Sequence, residues 1–207
     1  MLRRTLLSLL LSLMAGVSFA DAEIREGQQY EVLATPLATQ AANKIEVVEL
    51  FWYGCPHCYH FEPEIAAWLK KKPADVNFRR VPAVFDPRWV PHARAYFAAE
   101  VLGVLDKFHN PLFKAIHEEE QKIFDEESLL KFAGTLDIDH AAFKDAFTGF
   151  AVDAKVKQAM QFTRESGISG VPSIIVNGKY RTGAQLAGGQ DKVLKVVDFL
   201  VDKERAR

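Results

Sequence analysis

The chain has 207 residues, and its 26 Lys and Arg nearly balance its 27 Asp and Glu, leaving a net charge of −1. This balance gives no electrostatic reason to expect binding to nucleic acid or to an anionic membrane. With 49% hydrophobic residues, the length is sufficient for one sizeable core, or for one domain that carries an insertion.

The first twenty residues differ from the rest of the chain. Arg3 and Arg4 are followed by an uncharged apolar run that ends in small residues before Asp21. This order is typical of a secretory signal peptide, and we expect residues 1–20 to be removed on export. A membrane anchor is the alternative, but the run is shorter than the roughly 18–20 residues of a spanning helix. Cleavage after Ala22 also fits the pattern.

Residues 21–86 are expected to form the first part of an α/β domain. The β-branched and aromatic run "NKIEVVELFWY" (43–53) predicts a buried central strand. Both cysteines follow directly in "CPHC" (55–58), and the helical spacing of apolar residues over 59–72 predicts a helix. A second strand is predicted at 75–84, so the order strand, turn, helix, strand fits a parallel βαβ unit.

Residues 87–160 have helical periodicity and no strand-like run, which predicts an all-α insertion domain. Residues 161–207 return to the α/β pattern and form the second part of the interrupted domain. Asn177-Gly178 lies there between two short apolar runs, which is a strong signal for a β-hairpin. The apolar stripe over 190–205 predicts a final helix.

The two cysteines, Cys55 and Cys58, allow several interpretations. A purely structural disulfide would close a loop of only four residues, and such a short loop stabilises a fold weakly. A structural zinc site needs four ligands, and a single Cys-x-x-Cys supplies two. Covalent haem needs a histidine directly after the second cysteine, where this chain has Tyr59. We therefore expect neither a metal nor another cofactor.

A redox-active pair fits the surroundings of the motif, because export places the chain in an oxidising compartment. The predicted turn puts Cys55 at the start of a helix, where free N–H groups and the helix dipole stabilise a thiolate. His57 adds a hydrogen-bond donor, and a positive charge when it is protonated. A lowered pKa of Cys55 favours the reduced pair and makes the disulfide a stronger oxidant.

Three features together resemble one known family: the motif Cys55-Pro56-His57-Cys58, the dipeptide Val171-Pro172, and "IVNGKY" at 175–180. The family is the DsbA family of periplasmic thiol:disulfide interchange proteins, and the resemblance covers essentially all of the chain after residue 20. It implies an α/β thioredoxin fold, with a central mixed sheet flanked by helices, that is interrupted by the all-α insertion domain.

The resemblance also implies roles for the residues of these motifs. Cys55 is expected to be the solvent-facing, reactive cysteine and Cys58 the more buried one, with Pro56 and His57 completing the catalytic motif. Pro172 is expected to be a cis-proline. Together with Val171, it would bind an extended substrate through strand-like main-chain pairing. An ordinary trans proline at a strand edge is the alternative.

Glu49 is an acid within the apolar stretch "VVELFWY", six positions before Cys55. The resemblance implies a buried acid here and a basic partner at Arg80. Our hypothesis is that Glu49 tunes Cys58 and relays its proton, while Arg80 keeps the acid ionised. A merely structural ion pair is the alternative.

The segment "WYG" (52–54) differs from the family's best-known member, and Gly54 is expected to widen the surface beside Cys55.

The function implied by the resemblance is a periplasmic dithiol oxidase. It would donate the Cys55–Cys58 disulfide to newly exported proteins with free cysteines, through a mixed disulfide at Cys55. A DsbB-like, quinone-linked membrane protein would reoxidise the pair, and the protein would act as a monomer. Two alternatives stay open: an isomerase or reductase on the same fold, and a non-catalytic chaperone module that holds peptides with the helical domain.

Overall fold

The structure is a computed structural model that describes residues 23–206, so the expected signal peptide at 1–20 lies outside the described residues. Across 23–206, five strands form one sheet in the spatial order β1-β5-β4-β2-β3. They are β1 (Glu31–Val32), β2 (Ile45–Phe51), β3 (Val76–Pro82), β4 (Ser173–Val176) and β5 (Tyr180–Gly183). β2 and β3 are parallel and the other pairs are antiparallel, so the sheet is mixed.

The helices of the described chain fall into two groups. Those of the α/β part are α1 (Pro56–Leu69), α7 (Ala184–Ala187) and α8 (Val193–Arg205). Those between β3 and β4 are α2 (Val90–Val101), α3 (Leu105–His117), α4 (Glu126–Thr135), α5 (His140–Thr148) and α6 (Phe150–Glu165). This arrangement confirms the expected thioredoxin fold with a helical insertion. The predicted domain boundary at residue 160 falls inside α6, and the division into domains stays a prediction.

β2 is the central strand because most of its residues are apolar and it pairs with a strand on each side. All of its residues after Ile45 are buried, and it forms ladders with β3 and β4. The strand ends at Phe51, two residues earlier than predicted, since Trp52 and Tyr53 have left the ladder. α1 then begins at Pro56, a position where the missing N–H of proline leaves no hydrogen bond unmade.

The core consists of two apolar clusters, and successive residues of β2 point into different ones. Val48 belongs to the first cluster, with many residues of α2–α6. Val47 belongs to the second, with residues of α1 and α8. This alternation is the period of two expected for a strand that is buried on both faces. No helix within residues 23–206 is long and apolar enough to cross a membrane.

Candidate active site

Cys55 is the N-cap residue of α1 and makes no side-chain cap hydrogen bond. Its own N–H donates to the carbonyl oxygen of Trp52 at 3.0 Å, which closes the turn that leads out of β2. Both cysteines are free thiols; 8% of Cys55 is exposed, whereas Cys58 is fully buried. A reagent in solvent therefore reaches Cys55 more readily than Cys58, in the order expected for a reactive and a buried cysteine.

The surroundings of Cys55 lower its pKa to about 6. The largest cause is a hydrogen bond from the Cys58 thiol, and the backbone N–H groups of Cys58 and His57 and the charge of His57 act in the same direction, against the effect of burial. For Cys58, burial raises the pKa far above that of an ordinary thiol, and the neighbouring Cys55 adds to this rise. The reduced pair therefore carries one thiolate, and it lies on Cys55.

The Val171–Pro172 peptide bond is cis, which is the geometry that the family resemblance implies. Pro172 directly precedes β4, and the Cys55 thiol lies 3.4 Å from the carbonyl oxygen of Val171. Val171, Pro172 and the exposed His57 line a groove of about 820 Å³, together with residues of the loop before Val171 and of α7. The fold thus brings the reactive sulfur next to Val171, which lines this groove together with Pro172 and His57.

Gly54 does not open the surface beside Cys55 in the way that was expected. A Cβ atom at Gly54 would lie 2.4 Å from Cζ2 of Trp52, so the Trp52 ring already covers the space that the glycine leaves. That ring stacks on Trp89, with centroids 4.2 Å apart and planes 1° from parallel. The short side chain at residue 54 therefore permits an aromatic stack next to the active-site turn.

Glu49 and Arg80 face each other in the parallel β2–β3 ladder, and Arg80 Nε donates to Glu49 Oε2 at 3.0 Å. Glu49 is fully buried, and its burial raises its pKa to about 8 despite the attraction of Arg80. The expectation that Arg80 keeps this acid ionised is therefore not met at neutral pH, because desolvation outweighs the ion pair.

A second acid, Glu62, adds to the rise in the pKa of Glu49, and no role was predicted for it from the sequence. Arg80 Nη2 also donates to Glu62 Oε2 at 2.8 Å, so one guanidinium serves two carboxylates. Burial opposes ionisation of Glu62, but hydrogen bonds from His109 and Arg80, together with the charge of Arg80, hold the pKa of Glu62 below its ordinary value. Glu62 lies four residues after Cys58 on α1, one helical turn away, and this spacing was the available signal.

Helix α3 of the insertion supplies two further contacts to the active-site turn, through His109 and His117. His109 is buried and contacts both Tyr53 and Glu62. His117 Nε2 lies 2.7 Å from the main-chain carbonyl oxygen of Tyr53. Nothing in the local sequence around these histidines indicates such contacts, because they depend on how α3 docks.

Within residues 23–206, no group of three or more His, Cys, Asp or Glu could hold a metal ion.

Comparison with known proteins gives one consistent result. Residues 46–195 match the model of the DSBA-like thioredoxin domain. The thiol:disulfide interchange protein DsbA of Azotobacter vinelandii is 44% identical over 189 residues, which cover 91% of this chain and 88% of that protein. The protein of the same name from Burkholderia cepacia is 37% identical, over 97% of this chain and 96% of the relative.

Solved structures give the same result at the level of the fold. The crystal structure of Pseudomonas aeruginosa DsbA has a TM-score of 0.83 at 42% identity, and the match covers 87% of this chain and 94% of that chain. The oxidoreductase DsbA from Xylella fastidiosa has a TM-score of 0.82 at 36% identity, covering 89% of this chain and 99% of that chain. The chain therefore belongs to the DsbA-like thioredoxin-domain family, whose members are thiol:disulfide oxidoreductases.

Proposed function

We propose that the protein is a periplasmic dithiol oxidase that transfers the Cys55–Cys58 disulfide to newly exported proteins. A client thiolate attacks Cys55 Sγ, a client–Cys55 disulfide forms, the Cys55–Cys58 bond breaks, and Cys58 takes up a proton. A second client thiolate then attacks the client sulfur of this mixed disulfide. The client's own disulfide forms, and Cys55 leaves as a thiolate. The client loses two electrons, and the enzyme's cysteine pair gains them.

One observation carries this proposal: the pKa of Cys55 is lowered to about 6 while that of Cys58 is raised. A stable thiolate exists only in the reduced enzyme, so its stabilisation favours the reduced pair and makes the disulfide a stronger oxidant. The same asymmetry makes Cys55 the better leaving group in the second step, because the sulfur of lower pKa leaves faster.

The groove beside Cys55 is proposed as the place where clients bind. The carbonyl group of Val171 lies within hydrogen-bond distance of the Cys55 sulfur, so a client strand paired with Val171 and Pro172 would present its cysteine to Cys55. Main-chain pairing of this kind depends little on the client's sequence. It suits an enzyme that acts on many different unfolded chains with free cysteines.

Glu49 is proposed to relay the proton of Cys58. The acid is buried, its charge contributes to the raised pKa of Cys58, and its own pKa of about 8 lets it hold a proton at neutral pH. A buried thiolate that forms at Cys58 could take that proton without contact with solvent.

The reduced pair must be reoxidised before the next cycle. We propose that a DsbB-like, quinone-linked membrane protein accepts the two electrons, that the protein works as a monomer, and that residues 1–20 direct its export. The family and the two cysteines support these points together, since a dithiol oxidase can turn over only in a compartment that returns its disulfide.

The proposal is tested by equilibrating the purified protein with glutathione buffers, and then mixing the oxidised form with a reduced, unfolded protein that has two cysteines. The client should gain one disulfide for each one that the enzyme loses. The Cys55–Cys58 couple should be clearly more oxidising than that of thioredoxin, at about −270 mV. Cys55→Ser should abolish the transfer, and Cys58→Ser should trap the mixed disulfide.

Three results would overturn the oxidase proposal. A potential near that of thioredoxin, together with an ordinary thiol pKa at Cys55, would indicate a reductase. Faster reshuffling of a scrambled protein than oxidation of a reduced one would indicate an isomerase. Full function of Cys55→Ala in cells would indicate a non-catalytic chaperone module.

A further inference from the structure

His109 connects the helical insertion to the active-site helix through two hydrogen bonds. The side chain comes from α3 and is buried. Nδ1 lies 2.8 Å from the hydroxyl oxygen of Tyr53, and Nε2 lies 3.2 Å from Oε1 of Glu62. The imidazole thus bridges the residue two positions before Cys55 and the residue four positions after Cys58.

The partners of His109 determine which of its nitrogen atoms carries the proton. Glu62 also accepts a hydrogen bond from Arg80, and an ionised carboxylate can only accept, so Nε2 of His109 must be the donor. Burial lowers the pKa of His109, so the ring is neutral and Nδ1 has a free lone pair. Tyr53 donates its hydroxyl proton to that lone pair, since burial raises the pKa of Tyr53 and keeps the phenol protonated.

Glu49 and Glu62 compete for one cation. Both are bonded to Arg80, at 3.0 Å and 2.8 Å, and both are buried. One positive charge can balance one carboxylate, and a second unbalanced charge in this interior would be costly. The pair therefore holds one proton between them at neutral pH. The two acids differ in one respect: Glu62 has the additional donor of His109, whereas Oε1 of Glu49 has no hydrogen-bond partner within residues 23–206.

We propose that His109 is a positioning residue that keeps Glu62 ionised, and thereby leaves the shared proton on Glu49, the acid whose charge acts on Cys58. The donor from α3 decides the location of the proton, because each acid has the same cation but only Glu62 has the imidazole N–H. The importance of this arrangement for the reaction rests on the relay proposed for Glu49. The location of the proton itself does not depend on that relay.

Among the described residues, the side chains that hydrogen-bond to Glu62 are Arg80 and His109. Aromatic rings from three directions surround the imidazole, at centroid distances of 5.2 Å for Phe51, 6.0 Å for Tyr96 and 5.2 Å for Phe113. Tyr96 is the titratable one of these three, and burial raises its pKa, so it stays neutral. Arg80 is the nearby cation, and its charge opposes protonation of the ring.

The inference is tested by following the pH titration of the glutamate side-chain carboxyl carbons by NMR, with the two signals assigned through Glu49→Gln and Glu62→Gln. In the native protein, Glu49 should titrate near pH 8 and Glu62 should stay ionised through neutral pH. In His109→Leu, the midpoint of Glu49 should fall by about one pH unit or more, and that of Glu62 should rise. His109→Gln, whose amide N–H can replace Nε2–H, should restore the native pattern.

A matched control is His92→Leu, which also removes a buried histidine. His92 bonds to the carbonyl oxygen of Ile123 and to no carboxylate, so both glutamate titrations should keep their native midpoints. Should His109→Leu fail to fold, Glu62→Gln gives an independent answer. Glu49 would then be the single acid bonded to Arg80, and its midpoint should fall well below pH 8.

An unchanged Glu49 midpoint in His109→Leu, or in Glu62→Gln, would overturn the inference. The titrations are made without a client, so they are independent of the oxidase proposal. A protein that failed to oxidise clients could still have its proton on Glu49, and an active oxidase could fail this test.

Discussion

The sulfur of Cys55 lies 3.4 Å from the carbonyl oxygen of Val171, although the two residues are 116 positions apart in the chain. α1 presents the sulfur, and the cis-proline turn before β4 presents the carbonyl group. A client bound along this turn would therefore meet the reactive sulfur directly.

Cys55 of the reduced protein should react with iodoacetamide at a rate that rises with pH around a midpoint of about 6, because only the thiolate is a nucleophile. His57→Ser should raise the midpoint by about one unit and make the couple less oxidising by about 30 mV. His60→Ser is the control. His60 is also an exposed histidine of α1, but it does not contribute to the lowered pKa of Cys55. Equal effects of the two variants would contradict the role of His57.

Glu49→Gln should change the pH dependence of the step in which Cys58 leaves. In the native enzyme, the rate of this step should contain a component that declines as pH rises through about 8, since Glu49 loses its proton there. Glu49→Gln should lack the component. Stopped-flow measurement of mixed-disulfide formation with a peptide thiol would detect it.

Glu46→Gln is the matched control for that experiment. Glu46 is also a buried acid of β2 and is paired with Arg79, but it lies an odd number of residues from Glu49 and so on the other face of the strand. The relay role would be discarded if Glu49→Gln and Glu46→Gln gave the same pH profile as the native enzyme.

Arg80→Met should destabilise the protein by about 3–5 kcal/mol, because it leaves Glu49 and Glu62 buried without their cation. The pKa of Glu49 then stays raised, and burial also raises that of Glu62 above the unfolded value of about 4.3. A group with a raised acid pKa binds more protons when folded, so the loss of stability should grow as pH rises from about 5 to about 8. Urea unfolding at several pH values would measure this trend.

The comparison for this prediction is Arg88→Met. Arg88 is exposed and paired with Asp86, and an exposed pair contributes little to stability. A loss of stability in Arg80→Met that was no larger than in Arg88→Met, or that was independent of pH, would argue against the shared buried cation.

Gly54→Ala should displace the Trp52 ring, because the added Cβ would lie 2.4 Å from it. We expect the free energy of unfolding to fall by about 1–3 kcal/mol because of overpacking, and the tryptophan fluorescence to change, since Trp52 stacks on Trp89.

Gly134→Ala should have the opposite effect on stability. Gly134 is an exposed helical glycine with no atom within 4 Å of the added Cβ, so alanine should stabilise the protein by about 0.5–1 kcal/mol. Similar urea midpoints for the two variants would contradict this account.

Several parts of the molecule could be predicted from residue patterns because their causes are local. The apolar run around Val47 predicted the central strand, and Asn177-Gly178 predicted the hairpin between β4 and β5. The position of Cys55 between a strand and a helix predicted a stabilised thiolate, which depends on the Cys58 thiol and on N–H groups only two or three residues away. Strand ends were less well predicted, since Trp52 and Tyr53 have strand-like side chains but leave the ladder to form the active-site turn.

By itself, then, the sequence determined the βαβ unit, the helical insertion, the late hairpin and final helix, the redox motif and the side of the motif that carries the thiolate, but not β1 or α7. Only the tertiary structure decided that Arg80 serves two acids and that His109 reaches Glu62, which is 47 positions away. A buried histidine and a surface histidine look alike in a sequence, because burial depends on how α3 docks against α1. The balance between Glu49 and Glu62 follows from that docking, since desolvation and hydrogen bonding act on charges only where the folded chain has excluded water.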